Sequence, residues 1–311
     1  YMPDPVPALG QSLVRIAASG ICGSDMHAFL GHDERRPSPL ILGHEAAGIV
    51  IGGVNDGKRV TINPLTTCGT CRACKAGRDN LCPDRLIISM PPREGAFGEL
   101  VVMADRNLVE VPDDVPFAKA ALAEPLACGW HAVRLGAAAL DLPLAEARCV
   151  VIGGGAIGVG AALSLRAFGA TDIQVIEPNA VRRATLDGME GFTAVEPGTV
   201  TAADLIIDGV GYAATRADAT AIVRPGGVIM HIGLGEGTGG LDIRRMTLQE
   251  ITFIGTYTYT AQDFRDTAAA IFDGRLGALD WTEERPLCEG QQAFEDIRAG
   301  RVAAPKIILQ P

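Results

Sequence analysis

The sequence predicts an α/β protein of two domains, one rich in antiparallel strands and one built on a doubly wound parallel sheet. Three observations predict it. At 311 residues the chain is long for a single domain. Its first 125 residues are rich in glycine and proline and carry short strands. From residue 149 onward, short apolar runs alternate with amphipathic segments, as right-handed β-α-β crossovers require.

The elements follow in order. SLVRIAA (12–18), AGIVIGG and KRVTINP (58–64) read as strands joined by long loops. CVVIGGG (149–155) is a buried strand ending in glycines, and AIGVGAALSLRAFGA (156–170) is a helix. Then come the strand DIQVIEP (172–178), the helix NAVRRATLDGM, the strand DLIIDGVG (204–211) and the helix ATRADATAIV. GVIMHIGL (227–234) and ITFIGTYT (251–258) are further strands. From about residue 262 a helix precedes KIILQP, a closing strand. The expected domains are 1–126 with 262–311, and 127–261.

Composition excludes some functions. The net charge of −10 argues against a nucleic-acid partner, because phosphates call for basic patches. No apolar run reaches the eighteen or so residues of a membrane span. No secretory signal is visible, so a cytoplasmic setting is expected, although the chain opens on Tyr1 and a preceding segment is possible.

Cys68, Cys71, Cys74 and Cys82 sit within fifteen residues. Without an export signal, disulfides are disfavoured and metal is the better reading of such spacing. Iron–sulfur runs also use C-x2-C-x2-C and end in C-P, but they close with three residues before the last cysteine; here there are seven. Four thiolates on one loop can surround zinc and leave it no open position, so this cluster reads as structural.

Gly153, Gly155 and Gly158 form G-x-G-x-x-G between a strand and a helix. The turn, with Ala156 and Ile157, would carry a pyrophosphate at the helix N-terminus. Glu177, 24 residues after Gly153, stands where a carboxylate binds a ribose 2′-hydroxyl and repels a 2′-phosphate. NAD is therefore expected over NADP, with Arg182 and Arg183 near enough to soften that preference.

GICGSDMH (20–27), GHEAAGIV (43–50) and AEPLACGWHAV (123–133) remain. Together with the cysteine loop and VVIGGGAIG, in this order, they resemble the medium-chain zinc-dependent alcohol and polyol dehydrogenases over nearly the whole chain. That resemblance implies a GroES-like catalytic domain, a Rossmann domain and a substrate cleft between them. It makes Cys22, His44 and Glu124 ligands of a catalytic zinc. Glu124 stands where classical alcohol dehydrogenases use a cysteine, as in the sorbitol dehydrogenase-like branch. Glu45 would lie beside the metal, able to approach it. Asp25 would orient His44, and Ser24 and His27 would relay the alcohol proton. The four clustered cysteines would hold structural zinc. Assembly as a homodimer or homotetramer, through the ITFIGTY edge strand, is implied in the same way.

The chain departs from that pattern in places. The hairpin before KRV is short, and residues ahead of Tyr1 are expected. PPREGAFGE (91–99) is similar to the polyol branch, but Thr258 stands where polyol enzymes usually carry an arginine, which removes a donor fork for hydroxyls. The expected substrate is a secondary alcohol, polyol or sugar alcohol. The alternatives are a simple or amino alcohol, as in threonine dehydrogenases, or a binding protein without catalysis. His131 and His231 read as structural, and Cys128, Cys149 and Cys288 as buried thiols.

Overall fold

The computed structural model describes residues 2–311. The chain divides into two compact units: one holds the residues up to Glu124, Thr260–Gly274 and Leu279–Pro311, and the other holds Pro125–Tyr259 and Arg275–Ala278.

The first unit is organised by the strand Gln11–Gly20. It pairs antiparallel with Glu45–Ile51, with Leu100–Ala104 and, at its end, with Lys306–Gln310. Glu45–Ile51 continues to Arg59–Ile62 and then Leu108–Glu110, while Thr282–Pro286 joins Lys306–Gln310 in parallel. Val14, Ile16 and Ala18 alternate inward along the first strand, and Val14 and Ile16 pack with Val50, Val60, Ile62 and Met103. Each such buried aliphatic side chain contributes about 1.5–3 kcal/mol.

Register places the chemistry. Gly20 lies opposite both Glu45 and Ile308. One step beyond Glu45 is His44, and two steps beyond Gly20 and Ile308 are Cys22 and Lys306. Three distant segments therefore deliver their side chains to one end of the sheet. Gly20 has no room for a side chain, since a Cβ there would lie 2.1 Å from Glu45 Oε2.

The second unit holds a parallel six-stranded sheet. From edge to edge it runs Thr193–Val195, Asp172–Ile176, Arg148–Ile152, Ala203–Asp208, Val223–His231, Thr252–Gly255. Its central strands Arg148–Ile152 and Ala203–Asp208 are buried on both faces, as the middle of a parallel sheet requires. Helix Ala156–Ala167 follows strand Arg148–Ile152 with Gly155 as its N-cap. Gly153 has φ 101°, and a Cβ on Gly158 would come within 1.7 Å of Gly153 O. The third glycine of the fingerprint thus allows close packing of helix on strand.

Some elements differ from expectation. Strands Thr193–Val195 and Thr282–Pro286 carry too little apolar pattern to be legible, whereas helix Gly290–Arg298 is amphipathic, with Ala293 and Phe294 buried on one face, and is absent from the expected elements. The strand expected over 251–258 stops at Gly255, and Thr258 lies in the left-handed region at φ 46°. Cys149 is buried as expected, but Cys128 is only half-buried, and Cys288 is exposed on the short turn Leu287–Glu289. Ligand spacing says nothing about burial, and that turn lies on the surface.

Candidate active site

Helix Gly23–Phe29 starts at Cys22, whose backbone N–H donates to Asp25 Oδ2 at 3.0 Å. The same Asp25 carboxylate faces His44: Nδ1 lies 3.3 Å from Oδ1, and Gly43 N–H donates to that oxygen at 3.4 Å. Asp25 is completely buried. Burial pushes its carboxyl up, but His44, the Cys22 N–H and Arg36 outweigh this and hold it below the usual carboxylate range. Burial likewise pushes His44 down, yet the charges of Asp25 and Cys22 win, and its imidazole is held well above its ordinary value. The pocket favours positive charge at His44.

The Cys22 Sγ, a His44 ring nitrogen and a Glu45 carboxylate oxygen all lie within 4.8 Å of one another. Glu45 Oε1 receives Lys306 Nζ at 2.6 Å, and Lys306 also donates to Ile21 O at 2.9 Å. Glu45 Oε2 is buried without a donor. A thiol, an imidazole and a bare carboxylate oxygen suit zinc. Glu124 is buried at the start of helix Ala123–Ala139, and its charge is felt at Lys306, but it does not stand within that trio. Among the described residues, the carboxylate grouped with Cys22 and His44 as a candidate metal ligand is Glu45.

Ser24 and His27 lie three residues apart on the short helix, Ser24 half-buried and His27 exposed. Arg36 Nη2 donates to Ser24 Oγ at 3.1 Å and Nη1 to Asp25 Oδ1 at 3.1 Å. Sequence reasoning missed Arg36 and Lys306. Arg36 sits on an irregular loop with no motif, whereas the pairing of Lys306 with Glu45 depends on strand register across the chain.

The cysteine loop rises from the ribbon Leu65–Thr66 with Leu86–Ile87. Cys68 Sγ lies 4.0 Å from Cys74 Sγ and 3.5 Å from Cys82 Sγ. The sulfur–sulfur edge of a zinc tetrathiolate is about 3.8 Å, given Zn–S near 2.3 Å. Backbone N–H groups of Cys71, Cys74 and Cys68 point at the sulfurs of Cys68, Cys71 and Cys82 at 3.3–3.5 Å. The N–H groups of Thr70 and Cys71 lower the Cys68 thiol to about 6, while desolvation and Cys71 raise Cys74 to about 11. No pair forms a disulfide. The loop is also tied to the unit's core, since Asp79 accepts the Ala261 N–H that opens helix Ala261–Phe272.

In the second unit Glu177 is buried. Its Oε2 accepts Gly154 N–H at 2.9 Å and its Oε1 accepts Asn179 N–H at 2.8 Å. Arg182 Nη1 lies 3.4 Å from Oε2, and Arg183 Nη1 donates to Glu177 O at 2.8 Å. Gly153, Gly155, Ala156, Ile157 and Gly158 form the turn above it. His231 is half-buried, 3.8 Å from Asp208, and His131 is buried with Arg134 3.2 Å from its Nδ1.

Residues 8–113 match the alcohol dehydrogenase GroES-like domain, and residues 156–273 match the zinc-binding dehydrogenase domain. The chain belongs to the zinc-dependent medium-chain dehydrogenases. This dehydrogenase is 27% identical to a probable D-xylulose reductase A of Neosartorya fischeri, over 96% of this chain and 90% of that one. It is 28% identical to the L-galactonate-5-dehydrogenase of Escherichia coli K12, over 94% and 89%. A zinc-binding dehydrogenase from Sinorhizobium meliloti 1021, solved bound to NADP, superposes with a TM-score of 0.88 at 26% identity, covering 100% of this chain and 94% of that one. The GroES-like domain and the Rossmann sheet expected from the sequence are both present. The chain is an oxidoreductase that uses zinc and a nicotinamide dinucleotide. No helix among the described residues is long and apolar enough to cross a membrane.

Proposed function

We propose that this dehydrogenase oxidises a secondary alcohol of a polyol, sugar alcohol or sugar acid with NAD. The observation that carries the reading is the meeting of Cys22, His44 and Glu45 around the bare Glu45 Oε2. Cys22, His44 and Glu45 would hold the catalytic zinc, with Glu124 able to join or replace Glu45. Cys68, Cys71, Cys74 and Cys82 would hold a second, structural zinc. Bound zinc supplies Lewis-acid activation of the alcohol, and bound NAD supplies the hydride acceptor.

The chain's own residues do the rest. Asp25 stands against His44 Nδ1 and orients the ring, a nitrogen of which lies within 4.8 Å of the Cys22 thiol. Lys306 holds one oxygen of Glu45 and leaves the other bare. Ser24 Oγ takes the hydroxyl proton and passes its own outward toward His27, which stands in solvent. Glu177, tied to Gly154 and Asn179, presents a carboxylate to the adenosine ribose and supports NAD over NADP, with Arg182 beside it.

The relatives named for xylulose, galactonate and idonate support the polyol or sugar-acid class. Thr258, strained and with a buried hydroxyl lacking a partner, favours a second reading, a simpler or amino alcohol. A cytoplasmic setting belongs to the same reading, since the cysteine spacing suits a metal rather than disulfides. The edge strand Thr252–Gly255 supports pairing into a homodimer or homotetramer, which light scattering would test. The decisive assay is NADH formation over a panel of polyols, sugar acids and simple alcohols, with zinc measured on the same sample. Turnover with about two zinc ions per chain is expected. Nucleotide binding without turnover on any alcohol would overturn the reading and leave a binding protein.

A further inference from the structure

Arg36 is a charged side chain only 6% exposed, on the loop after helix Gly23–Phe29. Its backbone is fixed by a turn, with Arg36 N–H on Asp33 O at 3.0 Å, and its Nε lies 3.4 Å from Asp33 Oδ2. Its two terminal nitrogens reach two different side chains of the site: Nη1 meets Asp25 Oδ1 and Nη2 meets Ser24 Oγ, each at 3.1 Å. A guanidinium is planar and its donors are fixed relative to one another. One rigid fork therefore sets the angle between the carboxylate that orients His44 and the hydroxyl of Ser24.

The bond to Ser24 has a chemical consequence. A hydroxyl has one proton and two lone pairs. Arg36 cannot accept, so it takes one lone pair of Oγ and turns the Ser24 proton away from itself. One lone pair and the O–H then remain for the reaction. We propose that Arg36 is a positioning residue for proton transfer: it fixes Ser24 so that the free lone pair takes the alcohol proton while the Ser24 proton leaves outward. Overall the alcohol would lose its O–H proton to solvent by way of Ser24 and its C–H hydrogen as hydride, for which bound nicotinamide would be the acceptor, as the C=O bond forms. This rests on the function proposed above.

The test compares Arg36→Gln, Arg36→Lys, Ser24→Ala, the double variant Ser24→Ala/Arg36→Gln and the exposed neighbour Arg35→Gln. In Arg36→Gln, kcat falls about a hundredfold, the cost of a misplaced reacting group. KM for NAD and the zinc content stay unchanged, and the solvent deuterium isotope effect on kcat rises as proton transfer becomes limiting. Arg36→Lys, a point charge in place of a fork, recovers part of the loss, and Arg35→Gln keeps full rate. The double variant is no slower than Ser24→Ala, because Arg36 acts through Ser24. Undiminished kcat in Arg36→Gln, loss of zinc, or additive losses in the double variant would each overturn the proposal while leaving the function standing. A wild-type protein with no turnover would overturn both.

Discussion

The two clusters of metal-ligand type in the first unit are built in opposite ways. The cysteine loop is local, with four ligands of one kind inside fifteen residues, held by backbone N–H groups of the same loop. The pocket of Cys22, His44 and Glu45 is assembled by register from separate strands, mixes ligand types, and is surrounded by buried charges from Asp25, Arg36 and Lys306. The first arrangement closes around an ion. The second leaves a carboxylate oxygen without a partner and a histidine in a field that favours a cation. Chemistry needs the second kind, because an ion with every position filled by thiolates has no place for a substrate.

That contrast can be broken from either side. The largest effect is expected at the pocket. Cys22→Ser or His44→Ala should reduce alcohol-dependent NADH formation to background and remove about one of two zinc ions, while the fold survives by circular dichroism. Replacing Cys71 with Ser should do the reverse. Zinc leaves the loop, its tie from Asp79 to helix Ala261–Phe272 loosens, and Tm drops steeply, because structural zinc contributes directly to folding. Lost turnover with an unchanged Tm in Cys71→Ser would erase the distinction between the two clusters.

Next comes Lys306→Met, which strands the Glu45 carboxylate in a completely buried site. Breaking such a pair costs about 3–5 kcal/mol, read as a shift in the urea midpoint. Retention of wild-type stability would show that Glu45 does not depend on Lys306. Glu177→Gln should cost about 1.5–3 kcal/mol of stability through weaker hydrogen bonds from Gly154 and Asn179, and should raise the NADP-to-NAD preference ratio. An unchanged ratio would remove Glu177 from cofactor choice.

The smallest effect belongs to the surface. Arg285, Arg301 and Gln292 hold the Asp296 carboxyl well below the usual carboxylate range. A depressed folded value stabilises the fold above the unfolded value, about 3.9, and this contribution is lost as pH falls through the folded one. Asp296→Asn should lower Tm slightly at neutral pH and flatten the acid limb of the Tm profile below about pH 4. A parallel shift at every pH would contradict the charge argument.

The same contrast decides what could be read from the sequence. The cysteine loop and the Gly153–Gly158 turn were legible because their residues are neighbours in the chain with fixed spacing. The parallel sheet was legible from apolar runs such as RCVVI and ADLIID, which are buried on both faces. Cys22 and His44 were found only through resemblance, since strand pairing rather than spacing brings them together. Arg36 and Lys306 escaped altogether: a lone arginine in a loop and a lone lysine in a terminal strand read as solvated charges until register places them beside Asp25 and Glu45. The short strand Thr282–Pro286 escaped because its sequence, TEERP, carries no apolar alternation.

The measurement that tests the central claim most directly is diffraction at the zinc absorption edge from crystals of the purified protein. The account predicts two anomalous peaks per chain: one among Cys68, Cys71, Cys74 and Cys82, and one among Cys22, His44 and Glu45. A single peak at the four cysteines, in protein that still turns over alcohol with NAD, would contradict it.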